Sequence, residues 1–68
     1  MIEVDARGLS CPEPVILTKK GVQDKPREIR VYVDNNVSRE NVSKFLRREG
    51  YSLQVTEENE AMIIHGKK

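Results

Sequence analysis

A second cysteine is missing from this chain, and much follows from that gap. Cys11 is the one cysteine among 68 residues, so no internal disulfide can form. The even cysteine sets that staple small secreted domains are excluded with it. A thioredoxin-type Cys-x-x-Cys pair is excluded as well, because no second thiol can resolve a disulfide. Histidine is also single, at His65, and one Cys with one His cannot fill a four-ligand structural zinc site. No glycine-rich phosphate loop is present. Charge of one sign is not in excess: 12 Lys and Arg stand against 11 Asp and Glu. Bulk electrostatics therefore gives no push toward nucleic acid or membrane. No apolar run approaches the ~20 residues of a membrane span. The start, Met1-Ile2-Glu3-Val4-Asp5, has neither the basic region nor the apolar core of an export signal. These absences predict a cytoplasmic protein with a reduced thiol, no cofactor, no metal and no membrane partner.

What is present reads as a single domain over residues 1–68, with no internal repeat, low-complexity tract or linker. A chain this short buries only about 60% of the surface its unfolded form exposes. It has no room for a deep pocket, so a surface site or a site shared with a partner is expected.

Ile2-Glu3-Val4-Asp5 alternates apolar and polar and reads as a strand. Arg7-Gly8-Leu9-Ser10 reads as a turn, with unusual backbone angles at Gly8. A helix starts near Pro12, since proline is welcome at the first helical position, and Pro14 still lies in the first turn. On a helical wheel Pro14, Val15, Leu17, Thr18, Gly21 and Val22 share the face that should pack on a sheet. Ile16, Lys19, Lys20 and Gln23 share the other, where Ile16 is an apolar misfit. Asp24 to Arg27 is a loop. Glu28 to Asp34 is the clearest strand, with Ile29, Val31 and Val33 on one side and Arg30 and Tyr32 on the other. Ser38 is the expected N-cap of a second helix reaching about Glu49, with Val37 and Val42 as a hydrophobic staple and Gly50 as the C-terminal cap. Strands at Tyr51 to Glu57 and Ala61 to His65 follow, joined through Glu58-Asn59-Glu60.

The order β-α-β-α-β-β predicts an α/β (α+β) two-layer sandwich. Its first two strands should be parallel through a right-handed crossover, and its last two an antiparallel hairpin. The mixed four-stranded sheet should carry both helices on one face.

Cys11 sits in Leu9-Ser10-Cys11-Pro12-Glu13-Pro14-Val15, just ahead of the first helix. A thiol there faces unpaired N–H groups and the positive end of the macrodipole, and both favour the nucleophilic thiolate. Prolines delete the N–H groups of residues 12 and 14, which leaves those of Glu13 and Val15 as donors to sulfur. Arg7, Lys19 and Lys20 would add positive potential, and Glu13 opposes it. The thiol pKa is expected below the free value of about 8.5. His65 lies far along the chain and reads as a strand residue without a chemical role. A nucleophile without base, pocket or cofactor looks like a carrier of a sulfur-bound group.

The run Val4 to Val15, with Asp5, Gly8, Leu9, Cys11, Pro12 and Pro14 in their places, resembles the signature of the TusA/SirA/YedF family of sulfur carriers. The family's β-α-β-α-β-β sandwich matches the element order, so the likeness spans the chain. Val33-Asp34-Asn35 and Glu40-Asn41-Val42 look most like the N-terminal domain of the selenium-metabolism YedF subgroup. The resemblance implies a persulfide relay on Cys11, fed by a sulfur donor such as a cysteine desulfurase. It implies an acceptor protein or a component of tRNA thiolation or sulfur metabolism, and in the selenium-linked subgroup selenium in place of sulfur. It casts Asp5, Gly8, Pro12 and Pro14 as structural supports and Arg7 and Glu13 as electrostatic tuners.

Ile16, Lys19 and Lys20 form the expected partner surface. Arg39, Lys44, Arg47 and Arg48 read first as a solvated face. If functional they would dock an acidic protein partner or a tRNA-modifying complex, since Glu40 and Glu49 dilute the patch and no aromatic accompanies it for nucleic-acid binding. Two alternatives stay open: a regulatory or RNA/protein-binding module in which Cys11 is structural, and a redox sensor.

Overall fold

Alternation along the strands decides which side of the sheet the helices cover. The computed structural model describes residues 2–10 and 12–68. Its elements are β1 (Ile2–Asp5), α1 (Glu13–Gly21), β2 (Glu28–Val33), α2 (Asn36–Arg48), β3 (Ser52–Glu58) and β4 (Ala61–Lys67). The sheet runs β1-β2-β4-β3. β1 is parallel to β2, and β4 is antiparallel to both β2 and β3. The predicted parallel pair and terminal hairpin are both present, and β4 lies between β2 and β3.

Register then stacks like with like. Val4, Val31, Ile64 and Val55 form one row across the four strands, and Ile2, Ile29, Gly66 and Leu53 the next. Ile29, Val31, Val33 and Ile64 are fully buried beneath the helices, with Val42 and Leu46 of α2. Gly66 is needed there for space. A Cβ would stand 3.1 Å from Ile29 Cγ2 and 3.3 Å from both Leu53 Cδ2 and Tyr51 Cβ. The opposite sheet face carries the rows Glu3, Arg30, His65, Gln54 and Asp5, Tyr32, Ile63, Thr56.

The ends of α2 differ from expectation at the start and agree at the finish. Asn35, not Ser38, is the N-cap: its backbone is extended and its Oδ1 accepts from the Ser38 N–H at 2.8 Å. Ser38 is instead buried inside the first turn. Moving the cap by three residues also removes the staple, and Val37 stands 62% exposed while Val42 is buried. At the other end Gly50 takes a positive φ of 94°. Gly50 N donates to Arg47 O and Tyr51 N to Leu46 O, both at 3.0 Å, which is the Schellman pattern. Tyr51 is buried with Leu46 in the core, and its hydroxyl donates to Pro26 O at 2.6 Å. β4 runs two residues beyond the expected His65, because Gly66 and Lys67 find partners on both sides.

Candidate functional site

The motif loop leaves the sheet where β1 and β2 end side by side. Ala6 N extends the ladder by donating to Tyr32 O at 2.8 Å, and Ala6 is fully buried. Asp5, at the end of β1, then folds the chain around its carboxylate. Arg7 donates from its backbone N at 3.1 Å and its Nε at 2.9 Å to Oδ1, and from Nη2 at 2.8 Å to Oδ2. A paired guanidinium and a backbone N–H both favour the charged carboxylate. They hold the Asp5 pKa at about 2, against an ordinary 3.8, through the Arg7 side-chain hydrogen bond first and the backbone bond second. Arg7 also lies 5.8 Å from the centre of the Tyr32 ring. Its charge is thus committed to Asp5 and Tyr32, on the sheet side of the loop.

Gly8 turns the chain with φ of 78°, a conformation that favours glycine. Its N–H donates to Asp34 Oδ2 at 2.7 Å across 26 residues of sequence. Leu9 packs against the core. Ser10 O accepts from Glu13 N at 3.0 Å. Pro12 is the N-cap of α1, so the helix begins one residue later than expected, and Pro12 has no side-chain group to cap with. Pro14 is fully buried, and its carbonyl accepts from the buried Thr18 Oγ1 at 2.8 Å. The start of α1 is therefore stiff and fastened to the core through its second proline.

Several expectations meet these contacts. Asp5 and Gly8 take part in the hydrogen bonds of the loop, and Pro14 is buried in the first turn of α1. Glu13 is exposed in the first turn of α1. Its N–H is not left for sulfur, because Ser10 O takes it. Lys19 and Lys20 lie in the last turn of α1, their backbones about 9 to 10.5 Å along the axis from Glu13 at 1.5 Å per residue. Ile16 is 46% exposed, as the wheel predicts. His65 projects on the sheet face away from α1, with Nε2 enclosed and without a hydrogen-bond partner among the described residues. Cys11 lies outside the described residues, and so do the expectations about its thiol.

Asp34 was missed as a site residue. The signal was there: parallel pairing of β1 and β2 brings the residues just past both strands together, and a carboxylate at that point can accept from the loop's N–H groups. Among the described residues no group of three or more His, Cys, Asp or Glu could hold a metal ion. No helix is long and apolar enough to cross a membrane.

Comparison with known proteins agrees with this geometry. Residues 2–68 match the family model described as sulfurtransferase TusA. A protein of Methanocaldococcus jannaschii named as a candidate sulfur carrier is 33% identical over 63 residues, covering 90% of this chain and 84% of that one. The crystal structure of a SirA-like protein from Desulfitobacterium hafniense superposes with a TM-score of 0.87 at 32% identity, over 98% of this chain and 96% of that one.

Proposed function

We propose that this chain, which belongs to the TusA sulfurtransferase family, carries sulfane sulfur as a persulfide on Cys11 and relays it to an acceptor protein. The observation that carries this reading is the setting of the lone cysteine. It falls in sequence between a loop tied down by Asp34 at Gly8 and a helix start fastened by the buried Pro14. Both flanks are held by the fold, and the sequence offers no second thiol to compete for the sulfur.

The chemistry balances without a cofactor. The Cys11 thiolate attacks the outer sulfur of a donor persulfide. A new S–S bond forms, the donor's S–S bond breaks, and the donor cysteine leaves as a thiolate with the electron pair. Delivery repeats the step with the acceptor's nucleophile on the outer sulfur, and Cys11 is released as a thiolate. One sulfur enters and one leaves, so the role is that of a carrier rather than a turnover enzyme. The partners are a sulfur donor such as a cysteine desulfurase, and an acceptor in tRNA thiolation or another sulfur pathway. A reduced thiol fits the cytoplasm. The likeness of residues 33–35 and 40–42 to the selenium-linked subgroup makes selenium the second candidate cargo.

Intact-mass measurement after incubation with a cysteine desulfurase and cysteine tests the proposal. The expected result is a one-sulfur increment that disappears in Cys11→Ser. No increment from either the desulfurase or inorganic polysulfide would overturn it. Selenocysteine in place of cysteine in the same desulfurase reaction, read as a one-selenium instead of a one-sulfur increment, separates the two cargoes.

A further inference from the structure

The two helices leave a cleft between them of about 330 Å³, lined by Pro12, Val15, Asn41, Lys44, Phe45 and Arg48. We propose that this cleft docks an acidic segment of a partner protein, with an apolar side chain of that segment seated between Val15 and Phe45. The identity of the partner as sulfur donor or acceptor rests on the carrier reading above.

The floor of the cleft is apolar. Val15 and Phe45 are each partly buried, packed on the core beneath and still open to the cleft. The rim is cationic. Lys44 and Arg48 are exposed and one turn apart on α2. The ion pairs among the described residues join Arg7 to Asp5, Arg30 to Glu3, Arg39 to Glu40 and Lys67 to Glu28. None uses Lys44, Arg47 or Arg48. The helix dipole accounts for Arg47 and Arg48 in the last turn of α2. It does not account for Lys44, a turn earlier, which also lines a second cleft with Arg39, Arg47 and Val55, where Glu40 is the one carboxylate and pairs with Arg39. A band of cations thus follows the outer side of α2 with an apolar slot along its edge. Carboxylates around an apolar anchor complement that pattern, and such complementarity steers and orients association.

Nucleic acid fits less well. Single-strand binding needs aromatic platforms beside the cations. Here Phe45 is partly buried against the core, Tyr51 is buried, and Tyr32 belongs to the far face of the sheet. The position of the cleft matters for the relay. Pro12, the residue after Cys11 in sequence, is among its lining residues, so a partner seated there contacts the chain next to the carrier cysteine.

The test is an NMR titration of the whole chain with an amidated hexapeptide, Leu-Phe flanked on each side by two acidic residues. Shifts are expected at Val15, Asn41, Lys44, Phe45 and Arg48, and they should weaken with salt. Lys44→Glu/Arg48→Glu changes only exposed side chains and should keep the circular dichroism of the parent. It should weaken peptide binding about tenfold or more, a loss of 1.4 kcal/mol per tenfold. It should raise the KM for loading by a cysteine desulfurase and leave loading by polysulfide unchanged. Peptide shifts elsewhere, unchanged affinity in the double variant, or a tRNA occupying the cleft while the peptide does not, would overturn the proposal. Failure of polysulfide to load the parent protein would instead remove the carrier reading, and the peptide titration would still decide the cleft.

Discussion

At the start of α2, Asn35 supplies from its own side chain what no side chain supplies at the start of α1. The Asn35 cap reaches Ser38 three residues on, and the Gly50 turn closes the other end of the same helix. Both devices are local. At α1 the N-cap is Pro12, which has no acceptor to offer, and the order of the segment comes from afar. Asp34 holds Gly8 across 26 residues, and Pro14 is pressed into the core. The contrast separates two jobs. α2 is built to be stable on local terms and to anchor the core. The approach to α1 is positioned by contacts distant in sequence, which suits the proposed role of this segment in sulfur transfer.

Core truncation should expose this division most strongly. Leu46→Ala, at a fully buried site of α2, is expected to cost about 2–5 kcal/mol in urea unfolding. Leu17→Ala, at a half-buried site of α1, should cost clearly less. Equal losses would erase the distinction between the helices.

Next in size is Gly21→Ala at the end of α1. An added Cβ would stand 3.0 Å from Val4 Cγ2 and 3.4 Å from Ile29 Cδ1. Overpacking of about 1–3 kcal/mol should outweigh the helix-propensity gain of about 1 kcal/mol. A higher melting temperature for this variant would show that α1 lifts off the sheet easily.

A paired experiment on neighbouring residues sharpens the comparison further. Asn35→Ala should lower stability by about 1 kcal/mol and leave the rate and pH profile of Cys11 alkylation as they were. Asp34→Ala should do the reverse: a smaller loss of stability, since the bond is exposed, with a changed alkylation profile. Asp34→Asn keeps an acceptor and should restore part of it. The opposite pattern would mean that the loop does not depend on its distant anchor.

The smallest effect concerns Asp5. Its pKa of about 2 in the folded chain lies below its ordinary 3.8. A depressed carboxylate contributes its stabilisation fully above the unfolded pKa and loses it as pH falls through the folded one. The Asp5–Arg7 clasp should therefore persist through pH 4 and open toward pH 2. Carboxyl carbon shifts would follow it, and Arg7→Met should return the titration toward 3.8.

The element order was legible because strands and helices here differ plainly in period. Ile29, Val31 and Val33 alternate, whereas Val42 and Leu46 recur at helical spacing. Capping was legible at Gly50, where few residues accept a positive φ. It was misread at Ser38, because Asn and Ser cap about equally well and stand three residues apart in the same run. Of the candidate site, the motif residues Asp5, Gly8 and Pro14 could be picked out by type and position. Asp34 shows no such local mark; its contact with Gly8, 26 residues away, follows only once the β1–β2 pairing is taken into account.

By itself the amino-acid sequence determined the period of each segment, the one cysteine and the prolines beside it. These are properties of residues and their near neighbours. Only the tertiary structure decided that Asp34 meets Gly8 and that Lys44 and Arg48 border the same cleft as Val15. Those pairings depend on which strand ends adjoin and how two helices lie on one sheet. Such geometry is chosen by burial of the shared core, and no local pattern encodes it.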